Sequence, residues 1–141
     1  MSERPARPPG LEYHYFSEID STNDEARRLA LAGVDGPLWL VADCQTRGRG
    51  RRGREWQSPT GNLFATLLLR PASHIAACAQ LSFVAALAAC DLVGRYAPRA
   101  NIELKWPNDV LADGGKIAGI LLESASHGDA APDWVARIHG P

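Results

Sequence analysis

The sequence predicts an α+β domain in which helices pack on a mixed, largely antiparallel sheet. Three observations lead there. Apolar runs of strand length recur at Pro37–Asp43 (PLWLVAD), Leu63–Arg70 (LFATLLLR) and Lys116–Ser124 (KIAGILLES). Two stretches carry helical signals, one with a capping pattern and one alanine-rich. Asp113-Gly114-Gly115 is tight-hairpin chemistry, which joins neighbouring strands antiparallel. At 141 residues, 45% hydrophobic and 22% charged, the chain is the size of one soluble domain with a single core.

In order, Met1–Gly10 (MSERPARPPG) is proline-rich and polar and is expected to be a disordered tail. Leu11–Ile19 reads as a short strand. In Asp20-Ser21-Thr22-Asn23-Asp24-Glu25, the pair Thr22 and Glu25 fits a capping box, and the helix should run through Ala26, Leu29 and Ala30 to a C′ glycine at Gly33. Such an N-terminus also presents free N–H groups to a ligand, so capping and binding are compatible roles for Ser21, Thr22 and Asn23. After the strand at Pro37–Asp43 comes the loop Gln45–Trp56, then turn chemistry at Ser58–Asn62 and the strand Leu63–Arg70. One long buried helix is expected from about His74 to Tyr96; Gln80, Ser82 and Asp91 interrupt its apolar run and argue against a membrane span. Ile102–Trp106 is a strand interrupted by Pro107, and Val110–Ala112 resumes extended structure. Lys116–Ser124 returns from the turn, with Gly119 as a point of close backbone approach. His127–Pro132 should be loop and Asp133–Ile138 a last strand.

The loop QTRGRGRRGREW interleaves Arg47, Arg49, Arg51, Arg52 and Arg54 with Gly48, Gly50 and Gly53. Glycine lets backbone approach a ligand closely, and arginine offers a permanent charge whose donors match carboxylate and phosphate. A solvated basic loop, a nucleic-acid contact and a small anion site all fit those residue types. Charge distribution favours the last. The chain is at −1, and outside this loop ten basic residues stand against fifteen acidic, so the positive charge is an island rather than a nucleic-acid footprint. Cys44, Cys78 and Cys90 form no C-x-x-C pair and read as reduced thiols in a cytoplasm, while His14, His74, His127 and His139 share no metal-ligand spacing.

Ser21-Thr22-Asn23, Gln45-x-x-GRGRRGR-x-Trp56, KWPNDV (Lys105–Val110) and Lys116-x-Ala118-Gly119-Ile120-Leu121 with Glu123 occur in that order. Together they resemble the catalytic domain of biotin–protein ligases, over nearly all of Tyr15–Glu123. The resemblance implies a class II synthetase-like fold. It implies adenylation of biotin by ATP with Mg²⁺, then transfer of biotin from biotinyl-5′-AMP to a lysine of the biotin carboxyl carrier protein of acetyl-CoA carboxylase. By motif position, Ser21, Thr22, Asn23, Gln45 and Gly48 would hold the biotin head, with Gly119 nearby. Arg49, Gly50 and Arg51 would lie along the tail and phosphate. Trp56 and Arg52 would lie on the nucleotide side with Lys105, Asn108 and Asp109, and Asp109 is the candidate Mg²⁺ ligand. Lys116, Arg51 and Arg49 would carry catalysis.

The resemblance admits a homodimer. No helix-turn-helix precedes Leu11, so DNA binding is not expected, and the polar breaks at Gln80, Ser82 and Asp91 leave no membrane partner expected. The family's G-x-G-x-N segment and C-terminal β-barrel have no counterpart here, and the expectation is an incomplete domain, 11–141, with an unpaired central sheet edge, impaired stability and weak or absent turnover. A lipoate or octanoate transferase of the same superfamily is the nearest alternative, and a nucleic-acid module using the basic loop the next.

Overall fold

The computed structural model describes residues 10–72, 75–125 and 133–139. The expected N-terminal tail, apart from Gly10, and the 127–132 loop lie outside the described residues. Seven strands form one sheet: β1 (Glu12–Phe16), β2 (Leu38–Ala42), β3 (Phe64–Leu69), β4 (Ile102–Lys105), β5 (Asp109–Ala112), β6 (Gly115–Ala125) and β7 (Asp133–His139). Their spatial order is β1-β2-β3-β7-β6-β5-β4. β1 and β2 run parallel, and the other neighbours are antiparallel. The helices are α1 (Thr22–Leu31), the single turn α2 (Ile75–Cys78) and α3 (Leu81–Tyr96). The predicted α+β class is the observed one.

Two small clusters make the core. Ala26 and Ala30 of α1 lie on Leu38, Leu40 and Leu68; Ala86 and Ala89 of α3 lie on Val110, Ala118 and Ile120. Alanine on the helices lets them approach the larger sheet residues closely. The Asp-Gly hairpin forms as expected, with Asp113 (φ 50°) and Gly114 (φ 80°) both left-handed between β5 and β6, the geometry of a type I′ turn. Gly33 ends α1 at φ 83°, also as expected.

Several expectations need correction. The sheet has no unpaired central edge among the described residues: β7 pairs with β3 from Phe64↔His139 to Leu69↔Trp134 and with β6 from Gly119↔His139 to Ala125↔Asp133. The seven residues Asp133–His139 suffice to close the centre by backbone pairing alone. The N-cap of α1 is Ser21, one residue before the predicted Thr22, and its Oγ accepts from Asp24 N at 3.3 Å. Pro107 does not interrupt one extended segment; the chain reverses through Trp106–Asn108, and Lys105 faces Asp109 across the hairpin. The long helix is split at Ala79–Gln80, where the Ser82 hydroxyl donates to the Ala79 carbonyl at 3.1 Å and competes with the helical ladder. Nor is α3 a buried helix. Ala86 and Ala89 are its fully buried residues, whereas Phe83, Val84, Leu87, Leu92 and Tyr96 are exposed.

Candidate active site

Backbone pairing brings the two halves of the site together. β1 continues beside β2 through Ile19 N to Cys44 O (3.2 Å), Thr46 N to Ile19 O (2.9 Å) and Arg47 N to Asp20 O (2.8 Å). The N-terminus of α1 is thereby fixed against the start of the glycine–arginine loop. That loop folds back on itself: Trp56 N donates to Gly48 O (2.9 Å) and Gly50 N to Arg54 O (2.7 Å), with a 3₁₀ turn at Arg51–Gly53. The turn places Arg52 at φ 60°, a left-handed conformation uncommon for a residue with a Cβ. Gly48 is required by crowding, because a Cβ there would collide with Ser58 Oγ and the Trp56 carbonyl.

Beneath the loop lies a buried polar chain. Ser21, Thr22 and Thr66 have no exposed surface, and Asn23, Gln45 and Ser58 are also buried. Thr22 N donates to Gln45 Oε1 at 2.9 Å, and Gln45 Nε2 donates to Ser58 Oγ at 3.1 Å. Thr66 Oγ1 donates to Asn23 Oδ1 at 2.7 Å and lies 2.9 Å from Thr22 Oγ1. Asn23 Nδ2 donates to Glu123 Oε2 at 2.6 Å. Each buried polar group thus has a protein partner, which is what keeps so polar a cluster in the interior.

Beyond Trp56 a cavity of about 420 Å³ opens, lined by Arg51, Arg52, Trp56, Asn108, Asp109 and Lys116 among others. Lys116 Nζ sits 2.8 Å from Asp109 Oδ1 and 4.8 Å from the Trp56 ring centroid, a cation over an aromatic face. Gly119 forms the floor: a Cβ there would stand 3.3 Å from both Trp56 Cη2 and Lys116 Cε. Asn108 is held by the β6 backbone, donating through Nδ2 to Ile120 O (2.7 Å), and turns Oδ1 toward Arg51 Nη1 at 3.4 Å. A second cavity of about 320 Å³, lined by Gln45, Gly48 and Ser58, shares Glu55 and Trp56 with the first. The arrangement places amide and hydroxyl groups on one side of Trp56 and the cations Arg51, Arg52 and Lys116 on the other.

Most residues singled out in the sequence are brought together here. Ser21, Thr22 and Asn23 lie buried beneath the loop and line neither of these two cavities, and two further residues are placed differently. Lys105 is exposed on β4 and is not among the residues lining the large cavity. Arg49 is committed to protein carboxylates, with Nη2 2.5 Å from Asp24 Oδ1 and Nη1 3.0 Å from Glu123 Oε1. Burial pulls its pKa down, but the charges of Glu123 and Asp24 and their hydrogen bonds leave it raised. Thr66 and Glu123 had no assigned role in the sequence reading. Thr66 did leave a signal, as a polar residue inside the apolar run LFATLLLR.

Residues 15–132 match the profile of the biotin/lipoate A/B protein ligase family. The chain belongs to that family. Over 114 residues, covering 80% of this chain and 47% of the relative, it is 57% identical to a biotin–[acetyl-CoA-carboxylase] ligase of Paracoccus denitrificans. It is 38% identical over 130 residues to the bifunctional ligase/repressor BirA of Bacillus spizizenii, covering 92% of this chain and 40% of that protein. Among solved structures, biotin protein ligase of Leishmania major in complex with biotinyl-5-AMP superposes with a TM-score of 0.75 at 31% identity, covering 95% of this chain and 57% of that one. The Aquifex aeolicus biotin protein ligase in complex with biotin and ATP gives a TM-score of 0.74 at 30% identity, covering 92% and 51%. The chain spans about half the length of the relatives it matches.

Proposed function

We propose that this chain carries the adenylation and transfer chemistry of a biotin–protein ligase. It would join biotin to ATP as biotinyl-5′-AMP and pass the biotinyl group to a lysine of the biotin carboxyl carrier protein of acetyl-CoA carboxylase. The observation that carries the reading is the convergence of Arg51, from the loop, and Lys116, from β6, on one cavity beside Trp56. In the first step a carboxylate oxygen attacks the α-phosphorus and pyrophosphate departs. Two anions must approach each other, and two cations facing one cavity offset that repulsion and the charge that develops. Lys116 is held by an ion pair and a ring face, so it can re-aim at a phosphate oxygen without unfolding anything. In the second step the acceptor amine attacks the acyl carbon and AMP leaves.

Ser21, Thr22, Asn23 and Gln45 supply hydrogen-bonding groups for a ureido ring. Their burial implies that the loop Arg47–Trp56 lifts to admit biotin and closes over it. Mg²⁺ would be held chiefly by the triphosphate, with Asp109 as its protein carboxylate, the sparse protein ligation usual for this ion. It would neutralise the leaving pyrophosphate. The same reading puts the chain in the cytoplasm, where Cys44, Cys78 and Cys90 stay reduced, as they stand with no disulfide between them.

Isothermal titration of the purified chain with biotin, with and without ATP and Mg²⁺, tests this. Biotin binding strengthened by ATP is the expected result, and competition by lipoate instead of biotin would move the assignment to the lipoate side of the family. A folded sample giving no heat with either acid would refute the proposal.

A further inference from the structure

Glu123 stands where three elements meet. It belongs to β6, accepts from Asn23 Nδ2 of α1 at 2.6 Å on Oε2, and accepts from Arg49 Nη1 of the loop at 3.0 Å on Oε1. Arg49 in turn reaches back to Asp24 of α1 through Nη2 at 2.5 Å. Asn23 is buried, and Glu123 and Arg49 are about one-third exposed on their side chains (35% and 36%). We propose that Glu123 is a positioning residue that locks the root of the glycine–arginine loop to the N-terminus of α1, so that the residues on either side of Trp56 assemble as one site.

The chemistry demands a carboxylate. Both partners are pure donors at the contacting atoms, and a carboxylate can accept on both oxygens at once. Glutamine has nearly the same shape but only one acceptor oxygen. Its NH₂ would have to face either the Asn23 amide NH₂ or the Arg49 guanidinium, donor against donor. Asn23 cannot turn over to relieve this, because its Oδ1 is already used by Thr66 at 2.7 Å. Arginine is equally specific. Its fork spans Asp24 and Glu123 together, whereas a lysine's single ammonium is a point charge that cannot match that planar geometry. Glu123 is therefore not expected to touch substrate. It acts through Asn23 and Arg49, and the inference rests on the functional reading only for which ligand the site takes.

The test is hydrogen exchange on the ligand-free chain, wild type against Glu123→Gln and, as a second variant, Arg49→Lys. Both variants should accelerate exchange in segments 21–24 and 46–56 by about threefold to tenfold, the range expected for losing one charge-assisted hydrogen bond that is partly open to solvent. Exchange in α3 should not change. In kinetics, Glu123→Gln should raise KM for biotin by a similar factor with a smaller effect on kcat, and Glu123→Gln combined with Arg49→Lys should be little worse than either alone. Loop exchange unchanged in both variants, or rising in step with α3, overturns the proposal. A wild-type chain that binds no biotin would defeat the functional reading while leaving the exchange comparison able to judge the bridge.

Discussion

Thr66→Val is the sharpest test of the buried polar chain. Valine keeps the β-branched shape, so β3 keeps its packing and no cavity forms; what disappears is one hydroxyl in a residue with no exposed surface. Asn23 Oδ1, 1% exposed at the residue level, would lose the donor that stands 2.7 Å away. A buried acceptor left without a donor costs about 1–3 kcal/mol, more than the net value of the bond itself, because the group stays desolvated. At about 2 kcal/mol, a domain of this size should lose about 4–8 °C in Tm. The assay is urea unfolding followed by far-UV circular dichroism, with Thr66→Ser as the partner variant. Valine should lower the midpoint at unchanged slope. Serine, which keeps the hydroxyl and gives up one methyl, should cost about 1 kcal/mol. Valine as stable as wild type, or serine worse than valine, would refute the reasoning that the hydroxyl matters more than the methyl.

Other predictions follow from the same contacts. Lys116→Ala should lower single-turnover pyrophosphate release by about 10²–10³ while leaving the melting temperature near wild type, because the lost charge acts on the reacting phosphate and not on the core. Gly48→Ala should cost about 1–3 kcal/mol by overpacking against Ser58 and the Trp56 carbonyl, and calorimetry should show weaker biotin binding with it. Asp20 is held well below the usual carboxylate range, at about 2, foremost by its hydrogen bond from Arg28. A depressed carboxylate stabilises the fold above its unfolded pKa, and that stability is lost as pH falls from about 4 to 2. Arg28 is half exposed, so solvent screening leaves about 1 kcal/mol. Asp20→Asn should be less stable than wild type by that amount at pH 7, with the gap closing near pH 2 in urea titrations.

The sequence carried the local elements well because their signals are local. Asp113-Gly114 can hardly make anything but a tight turn, and Gly33 stops α1 where a positive φ is needed. The glycine–arginine loop announced its charge and its backbone freedom by composition. What escaped was long-range. Nothing in Asp133–His139 says that it pairs on both sides, because a strand's neighbours are chosen by tertiary packing. Arg49 looked like a ligand clamp since sequence shows its charge but not the Asp24 and Glu123 that consume it. The exposed face of α3 was misjudged for a related reason: uniform hydrophobicity reports that a helix can be buried, not how much sheet is there to bury it.

The place of β7 has a kinetic consequence. Strands β1–β3 and β4–β6 are two sequence-contiguous groups, and β7, the last described strand, is the wedge between them. Phe64 meets His139 across the sheet, so the pairing that joins the groups closes one of the longest loops among the described residues and must await synthesis of the 133–139 segment. Gln45 and Thr22 belong in sequence to the first group and Lys116 and Asp109 to the second. Ligand bound across the divide therefore favours the docked state by mass action. With the proposed site formed, biotin and ATP should slow the undocking of β7 far more than they alter the early collapse of either group.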